Sequence, residues 1–293
     1  MSIFEGSGVA IVTPFKKGGE IDYESFEKLL EWHVTEGTDA IVVCGTSGEA
    51  STLPNEEHLA AVEFVAKTIN KRLPVIAGVG SNETVHAIYL SEEAERRGAD
   101  ALLHVTPYYN KASTLGLMEH FTQIARSVSI PILLYSVPAR TGLTIGPEMC
   151  AKLAEEKNIV GIKDATGDIA LVAEIASVTP DDFDIYSGND DMIIPLLSLG
   201  GKGVISVLAN VAPKDTHDMV AKYLAGDTAG GLKLQLDMLP LIKSLFCEVN
   251  PIPVKAALWL MEKIEYEYRL PLCQMEESNL EKLRKEMKAY NLI

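Results

Sequence analysis

The chain has 293 residues, 47% hydrophobic and 23% charged, which is long for one ordinary domain but normal for a soluble α/β barrel with a large core. A formal net charge of −15 argues against general nucleic-acid binding, because nothing offsets repulsion from phosphates; an anionic substrate would need positive charge concentrated in one place. The N-terminal stretch MSIFEGSGVAIVTPF lacks the pattern of a secretion signal, no apolar run reaches the roughly 18 residues of a membrane span, and Cys44, Cys150, Cys247 and Cys273 form no CxxC pair, so a reduced cytoplasmic protein without zinc site or disulfide framework is expected.

In chain order, a short β-rich run ending in Gly, Thr, Ser, Pro or Asn recurs eight times, each followed by a helical pattern. The runs are GVAIVTPF from Gly8, DAIVVCGTSGE from Asp39, LPVIAGVGSN from Leu73, DALLHVTPYYN from Asp100, IPILLYSVPARTG from Ile130, NIVGIKDATG from Asn158, FDIYSGND from Phe183 and GKGVISVLAN from Gly201. Between them, YESFEKLLEWHVTEG places Phe26, Leu29, Leu30 and Val34 at helical spacing and stops at Gly37, and EEHLAAVEFVAKTI and TVHAIYLSEEAERRG behave alike. Spacings of roughly 20 to 35 residues are those of βαβ units, and eight of them predict a closed (β/α)8 TIM barrel over residues 1–222. An open doubly wound sheet is the runner-up, but GVGSNE at Gly78 lacks the third glycine of a dinucleotide fingerprint. Residues 223–293 read as additional C-terminal helices packed on the barrel or on another subunit, interrupted near Asn250 by the prolines of EVNPIPVK.

In such a barrel the active site lies at the C-terminal ends of the strands, and those ends carry unusual residues here. Strand two ends in GTSGE, with Thr46, Ser47 and amides able to seat a carboxylate; strand four ends in Tyr108 and Tyr109; strand five carries Tyr135 and, in a rigid turn beyond it, Arg140. Strand six carries Lys163 in an otherwise apolar run. A lysine facing a barrel lumen is desolvated, which favours the neutral amine, a nucleophile toward carbonyls. The alternative is a structural lysine paired with Asp164 or Glu49. Tyr135 could pass protons beside the amine, with Thr46 bridging it to Tyr109, and Arg140 suits a substrate carboxylate. The six histidines form neither HxH nor HExxH, SLGGKGVIS lacks the first glycine of a phosphate loop, and no GxSxG elbow occurs, so no metal, nucleotide or serine-hydrolase chemistry is indicated.

Taken together, GVAIVTPF, GTSGEASTL, HVTPYYN, YSVPARTG, GIKDATGD, SGND, GVISVLAN and NPIPVK, in fixed order over nearly the whole chain, resemble the dihydrodipicolinate synthase family, which shares its fold with N-acetylneuraminate lyase. The resemblance implies a class I aldolase without metal or cofactor. Lys163 would form an imine with pyruvate, Tyr135 would transfer protons, and Thr46 and Tyr109 would complete the relay. Thr46 and Ser47 would hold the pyruvate carboxylate, Ile205 would line the pocket near Gly188, and Arg140 would bind the carboxylate of L-aspartate 4-semialdehyde. The product would be 4-hydroxy-tetrahydrodipicolinate, on the route to diaminopimelate and lysine. The family's usual assembly is a homotetramer, a dimer of dimers in which Tyr109 reaches into the neighbouring subunit's site. Tyr108 would pack at that interface and, with Ser51, His58 and Asn82, form a candidate allosteric pocket for lysine as inhibitor. Asn55 and His86 depart from the family pattern, which often has a histidine and a glutamate there, and Ser136 and Ser47 replace an asparagine and a threonine. Two other readings are another pyruvate-dependent aldolase of the same fold, acting on 2-keto-3-deoxy acids or 4-hydroxy-2-oxoglutarate, and a metabolite-binding barrel without catalysis.

Overall fold

The computed structural model describes residues 2–293. Eight strands form a closed parallel barrel in chain order: β1 (Gly6–Ala10), β2 (Ala40–Val43), β3 (Val75–Gly78), β4 (Ala101–Val105), β5 (Ile132–Ser136), β6 (Ile159–Asp164), β7 (Asp184–Ser187) and β8 (Gly203–Ser206), with β8 pairing back onto β1. The (β/α)8 expectation is met. The strands are buried on both faces, which is why they read as continuous apolar runs and not as alternating ones.

Strand register sorts the two faces. Pairings of Gly8 with Ala40, Ala10 with Val42, Val42 with Ile76, Ile76 with Ala101, Leu103 with Leu133 and Tyr135 with Lys163 carry one side-chain layer around the lumen. The apolar residues of this layer from Ala10 to Tyr135, with Phe4, Tyr186 and Ile205, pack as a core separate from the one under the helices. A small residue on β1 leaves room for an aromatic one: at Gly8 a Cβ would fall 2.8 Å from the Phe4 ring. Below the site the N-terminal segment closes the barrel floor. Phe4 stacks on Tyr186 with ring centres 4.4 Å apart, the Tyr186 hydroxyl donates to the Phe4 carbonyl (2.7 Å), and the Ser2 hydroxyl donates to Asp184 (2.8 Å).

The outer ring comprises α1 (Tyr23–Thr35), α2 (Asn55–Ile69), α3 (Thr84–Arg96), α4 (Thr114–Ser127), the short α5 (Pro138–Thr141), α6 (Pro147–Leu153), α7 (Ile169–Val178), α8 (Ile193–Leu197) and α9 (Pro213–Leu224). Side-chain caps fix several starts: Asp22 accepts from the Ser25 amide, Ser113 from Gly116, and Asp168 from Ala170 and Leu171. Three helices follow the barrel: α10 (Thr228–Leu245), α11 (Ile252–Leu260) and α12 (Glu277–Ala289); of the EVNPIPVK prolines, Pro251 caps the start of α11 and Pro253 lies in its first turn.

The segment after α10 is tied to the top of the barrel by a buried ion pair. Lys255 of α11, 1% exposed, lies 2.5 Å from Glu49 in the loop after β2, with its ammonium over the rings of Phe15 (4.3 Å) and Tyr268 (5.0 Å). Burial lowers the Lys255 pKa, and Glu49 opposes that shift. Beside it, Arg269 clamps both carboxylate oxygens of Glu57 (2.6 and 3.0 Å) and donates to the Gly19 and Thr52 carbonyls. Removing one partner of a buried pair strands the other charge. Lys255→Met is therefore expected to cost about 3–5 kcal/mol in urea unfolding, and Lys255→Met with Glu49→Leu to recover most of that loss.

Four buried histidines are held neutral. Desolvation lowers His33 and His104 to about 3 and His58 and His120 to about 4. His33 bonds Thr38 (2.9 Å), His104 bonds Ser91 (3.1 Å) and His120 bonds Thr84 (3.0 Å). Their unfolded pKa is about 6.5, so below that pH the unfolded chain binds more protons than the native one, and stability falls as pH drops toward the folded values. The buried Asp164, Asp184 and Asp190, raised by desolvation, act in the opposite sense. The histidine share is isolated by comparison: between pH 7.5 and 5, the urea midpoint of His104→Asn should fall less steeply than that of the parent protein.

Candidate active site

Lys163 is the fifth residue of β6, in register with Tyr135 on β5 and Tyr186 on β7, so all three side chains face the lumen. The lysine is 6% exposed, and its Nζ sits 4.3 Å from the centre of the Tyr135 ring. Among the described residues, no ion pair or hydrogen bond reaches that nitrogen. The structural alternative, pairing with Asp164 or Glu49, is not what the chain builds. Asp164 faces away, with Oδ1 accepting from the Thr166 amide (3.1 Å) and hydroxyl (2.7 Å), and Glu49 is taken by Lys255.

The other buried carboxylates near the lumen are also occupied. Asp184, one layer deeper, accepts from the Ser2 hydroxyl (2.8 Å) and lies 3.2 Å from the Tyr186 hydroxyl, whose one proton goes to the Phe4 carbonyl. Asp190 accepts from the Ser206 hydroxyl (2.6 Å) and the Val207 and Leu208 amides (3.1 and 2.9 Å). Burial raises Asp190; these bonds, and more weakly the charge of Lys163, pull it back down. Gly188 gives the lysine its room: a Cβ there would lie 2.7 Å from the Ala165 side chain, 2.9 Å from the Asp164 carbonyl oxygen and 3.1 Å from Lys163 Cε. Ile205, in register with Gly8, lines the same lumen.

The GTSGE loop is drawn tight at the top of β2. The Gly48 amide donates to the Gly45 carbonyl (3.1 Å), the Glu49 amide to the Thr46 carbonyl (3.1 Å), and the Thr13 hydroxyl to the Gly48 carbonyl (2.7 Å). Ser47 is buried, and its hydroxyl oxygen accepts from the side-chain amide of Asn250 (3.1 Å). Arg140 stands exposed on α5, one guanidinium nitrogen donating to the Asn250 carbonyl (3.0 Å). The two expected carboxylate contacts are thus joined through one residue that sequence reading did not assign a role. NPIPVK was noticed as a motif, but a partner 203 positions away leaves no local periodicity to read.

The expected relay is not closed within one chain. Tyr109 is 93% exposed with φ +67°, and no hydrogen bond joins Tyr135, Thr46 and Tyr109 among the described residues. Of the candidate allosteric residues, the Asn82 side chain donates to the Tyr108 carbonyl (3.2 Å), and Asn110 donates to the Asn82 carbonyl (2.9 Å). His58 is buried, and the charge of the neighbouring His86 helps lower its pKa. His86 bridges Ser81 (3.1 Å) and Asn55 (2.9 Å), so the two residues that depart from the family pattern bond each other. Ser51 is exposed on a 3-10 turn, Ala50–Thr52, and no hydrogen bond ties it to this group.

The family model described as the dihydrodipicolinate synthetase family matches residues 3–290. The 4-hydroxy-tetrahydrodipicolinate synthase of Acetivibrio thermocellus is 55% identical over 291 residues, covering 99% of this chain and 99% of its own. Among solved structures, the chloride-inhibited dihydrodipicolinate synthase of Acinetobacter baumannii, complexed with pyruvate, superposes with a TM-score of 0.97 at 46% identity over 99% of both chains. The enzyme from Cyanidioschyzon merolae with lysine bound gives 0.97 at 38% identity over 100% of both chains.

Proposed function

Because the chain belongs to the dihydrodipicolinate synthetase family, we propose that it condenses pyruvate with L-aspartate 4-semialdehyde through a Schiff base on Lys163, giving 4-hydroxy-tetrahydrodipicolinate for diaminopimelate and lysine synthesis. The observation that carries the chemistry is the Lys163 amine, enclosed in the lumen against the Tyr135 ring and, among the described residues, bonded to no partner. Lys163 attacks the pyruvate ketone, and loss of water leaves the imine. Tyr135, on the next strand, is the group placed to carry protons to and from the carbinolamine. Loss of a C3 proton gives the enamine, whose carbon attacks the semialdehyde aldehyde. The substrate's own amine then displaces Lys163 and closes the ring, returning the lysine. Thr46 and Ser47 seat the pyruvate carboxylate, Gly188 and Ile205 shape the pocket, and Arg140 receives the second carboxylate. The relatives' names support this reading over a keto-deoxy-acid aldolase.

We assign the exposed face around Tyr109 to a second copy of the chain, in a homotetramer built as a dimer of dimers. Val85 and Tyr89 of α3, Tyr108 beyond the end of β4 and Leu115 of α4 are also exposed. Lysine is the inhibitor we assign to the Asn82–Tyr108 group, and one relative holds lysine. We place the enzyme in the cytoplasm; four free cysteines support that compartment.

Three experiments test these assignments. Borohydride reduction with pyruvate should add one covalent adduct by intact mass, lost in Lys163→Ala. Arg140→Ala should keep the adduct while turnover with the semialdehyde falls about 10- to 100-fold, the worth of a charged hydrogen bond; unchanged turnover would refute its role. For the shared site, Lys163→Ala and Tyr109→Ala proteins, each nearly inactive, should regain activity when mixed under subunit exchange, since a hybrid holds one intact site. No recovery in verified hybrids would rule out a Tyr109 contributed in trans.

A further inference from the structure

The residues after α10 supply part of the site. Asn250 lies between α10 and α11 and is buried, yet both ends of the residue bond groups assigned to substrate. Its side-chain amide donates to Ser47 Oγ at 3.1 Å, and its main-chain carbonyl accepts from Arg140 Nη2 at 3.0 Å. The reverse bond, Ser47 donating to Asn250 Oδ1, is long at 3.5 Å.

A serine hydroxyl has one proton to give and two lone pairs to accept with. The Asn250 N–H fills one lone pair, which leaves the Ser47 proton as the group's one donor. The weak reverse bond leaves that proton available to a carboxylate, and donation into the oxygen increases its acidity as a donor. The Lys255–Glu49 pair five residues along the chain anchors the far end of the same loop, so the contact sits on a fixed frame.

We propose that Asn250 is a positioning residue shared by the two carboxylate subsites: its side chain aims the Ser47 hydroxyl at pyruvate, while its carbonyl sets the Arg140 guanidinium for the second substrate. This rests on the reading that Ser47 and Arg140 bind those carboxylates. A side-chain variant separates the halves, because Asn250→Ala removes the amide and keeps the carbonyl.

The test is borohydride trapping of the pyruvate adduct at graded pyruvate, with steady-state kinetics on the same preparations. In Asn250→Ala the pyruvate concentration giving half-maximal adduct, and the pyruvate KM, should rise about five- to tenfold, while kcat and the semialdehyde KM stay within about twofold. In a Ser47→Ala background the same substitution should add nothing. A merely structural loosening would lower kcat and raise both KM values together. Should Asn250→Ala not fold, Asn250→Ser, too short to reach Ser47, gives the same reading. Half-saturation within twofold of the parent, or an effect that persists in Ser47→Ala, overturns the proposal and leaves the proposed reaction standing. Failure of the parent protein to form any adduct would instead overturn the reaction, and this inference with it.

Discussion

The structure is organised around a cation-forming side chain left without a counter-ion in a closed lumen. Lys163 reaches a space whose walls are Tyr135, Tyr186 and Ile205, and among the described residues nothing bonds its nitrogen. Burying an amine in this way is unfavourable, and proteins ordinarily offset it with a carboxylate. The same chain does so at Lys255, whose pair with Glu49 is fully enclosed. The contrast between two buried lysines in one molecule separates a structural role from a chemical one more sharply than burial alone.

Keeping that nitrogen free requires keeping three carboxylates busy. Asp164 is turned to the opposite strand face and bonded to Thr166; Asp184 is held by Ser2; Asp190 is held by Ser206 and two amides. Each is raised by burial, and each has donors that fix its orientation. The barrel floor and the β8 loop therefore serve the same end as the lumen wall: they commit nearby negative charge elsewhere. Asp190 carries a second duty, since its bonds fix the chain just beyond Ile205.

The barrel was legible because its signals are local. Each strand is a short apolar run closed by turn residues, each helix begins and stops on recognisable residues, and eight repeats leave few architectures open. Lys163 was legible for a related reason, as a charge in a strand otherwise apolar. What stayed hidden depends on pairs distant in sequence. Glu49 and Lys255 are 206 positions apart, Ser47 and Asn250 are 203 apart, and each residue alone has a bland reading as loop or helix. Tyr186 stands unmarked inside FDIYSGND, because its ring packs on Phe4, 182 positions earlier. Sequence pattern reports which face a residue takes; it does not report which distant loop that face will meet.

Tyr109 shows where the logic of a single chain stops. A bulky residue at φ +67° is sterically disfavoured, and an aromatic ring 93% exposed gains nothing from burial. Both costs are borne beyond the end of β4, and among the described residues the Tyr135 phenol has no hydrogen-bond partner of its own. In the proposed assembly both are offset at once: a second copy covers the ring, and each Tyr109 supplies the facing site with the hydroxyl that its Tyr135 and Thr46 lack. Association would then do more than stabilise the subunit. It would complete the proton path, so that a separated chain could hold pyruvate on Lys163 yet turn it over slowly. Binding and turnover would have different dependences on protein concentration, the signature of a site divided between copies.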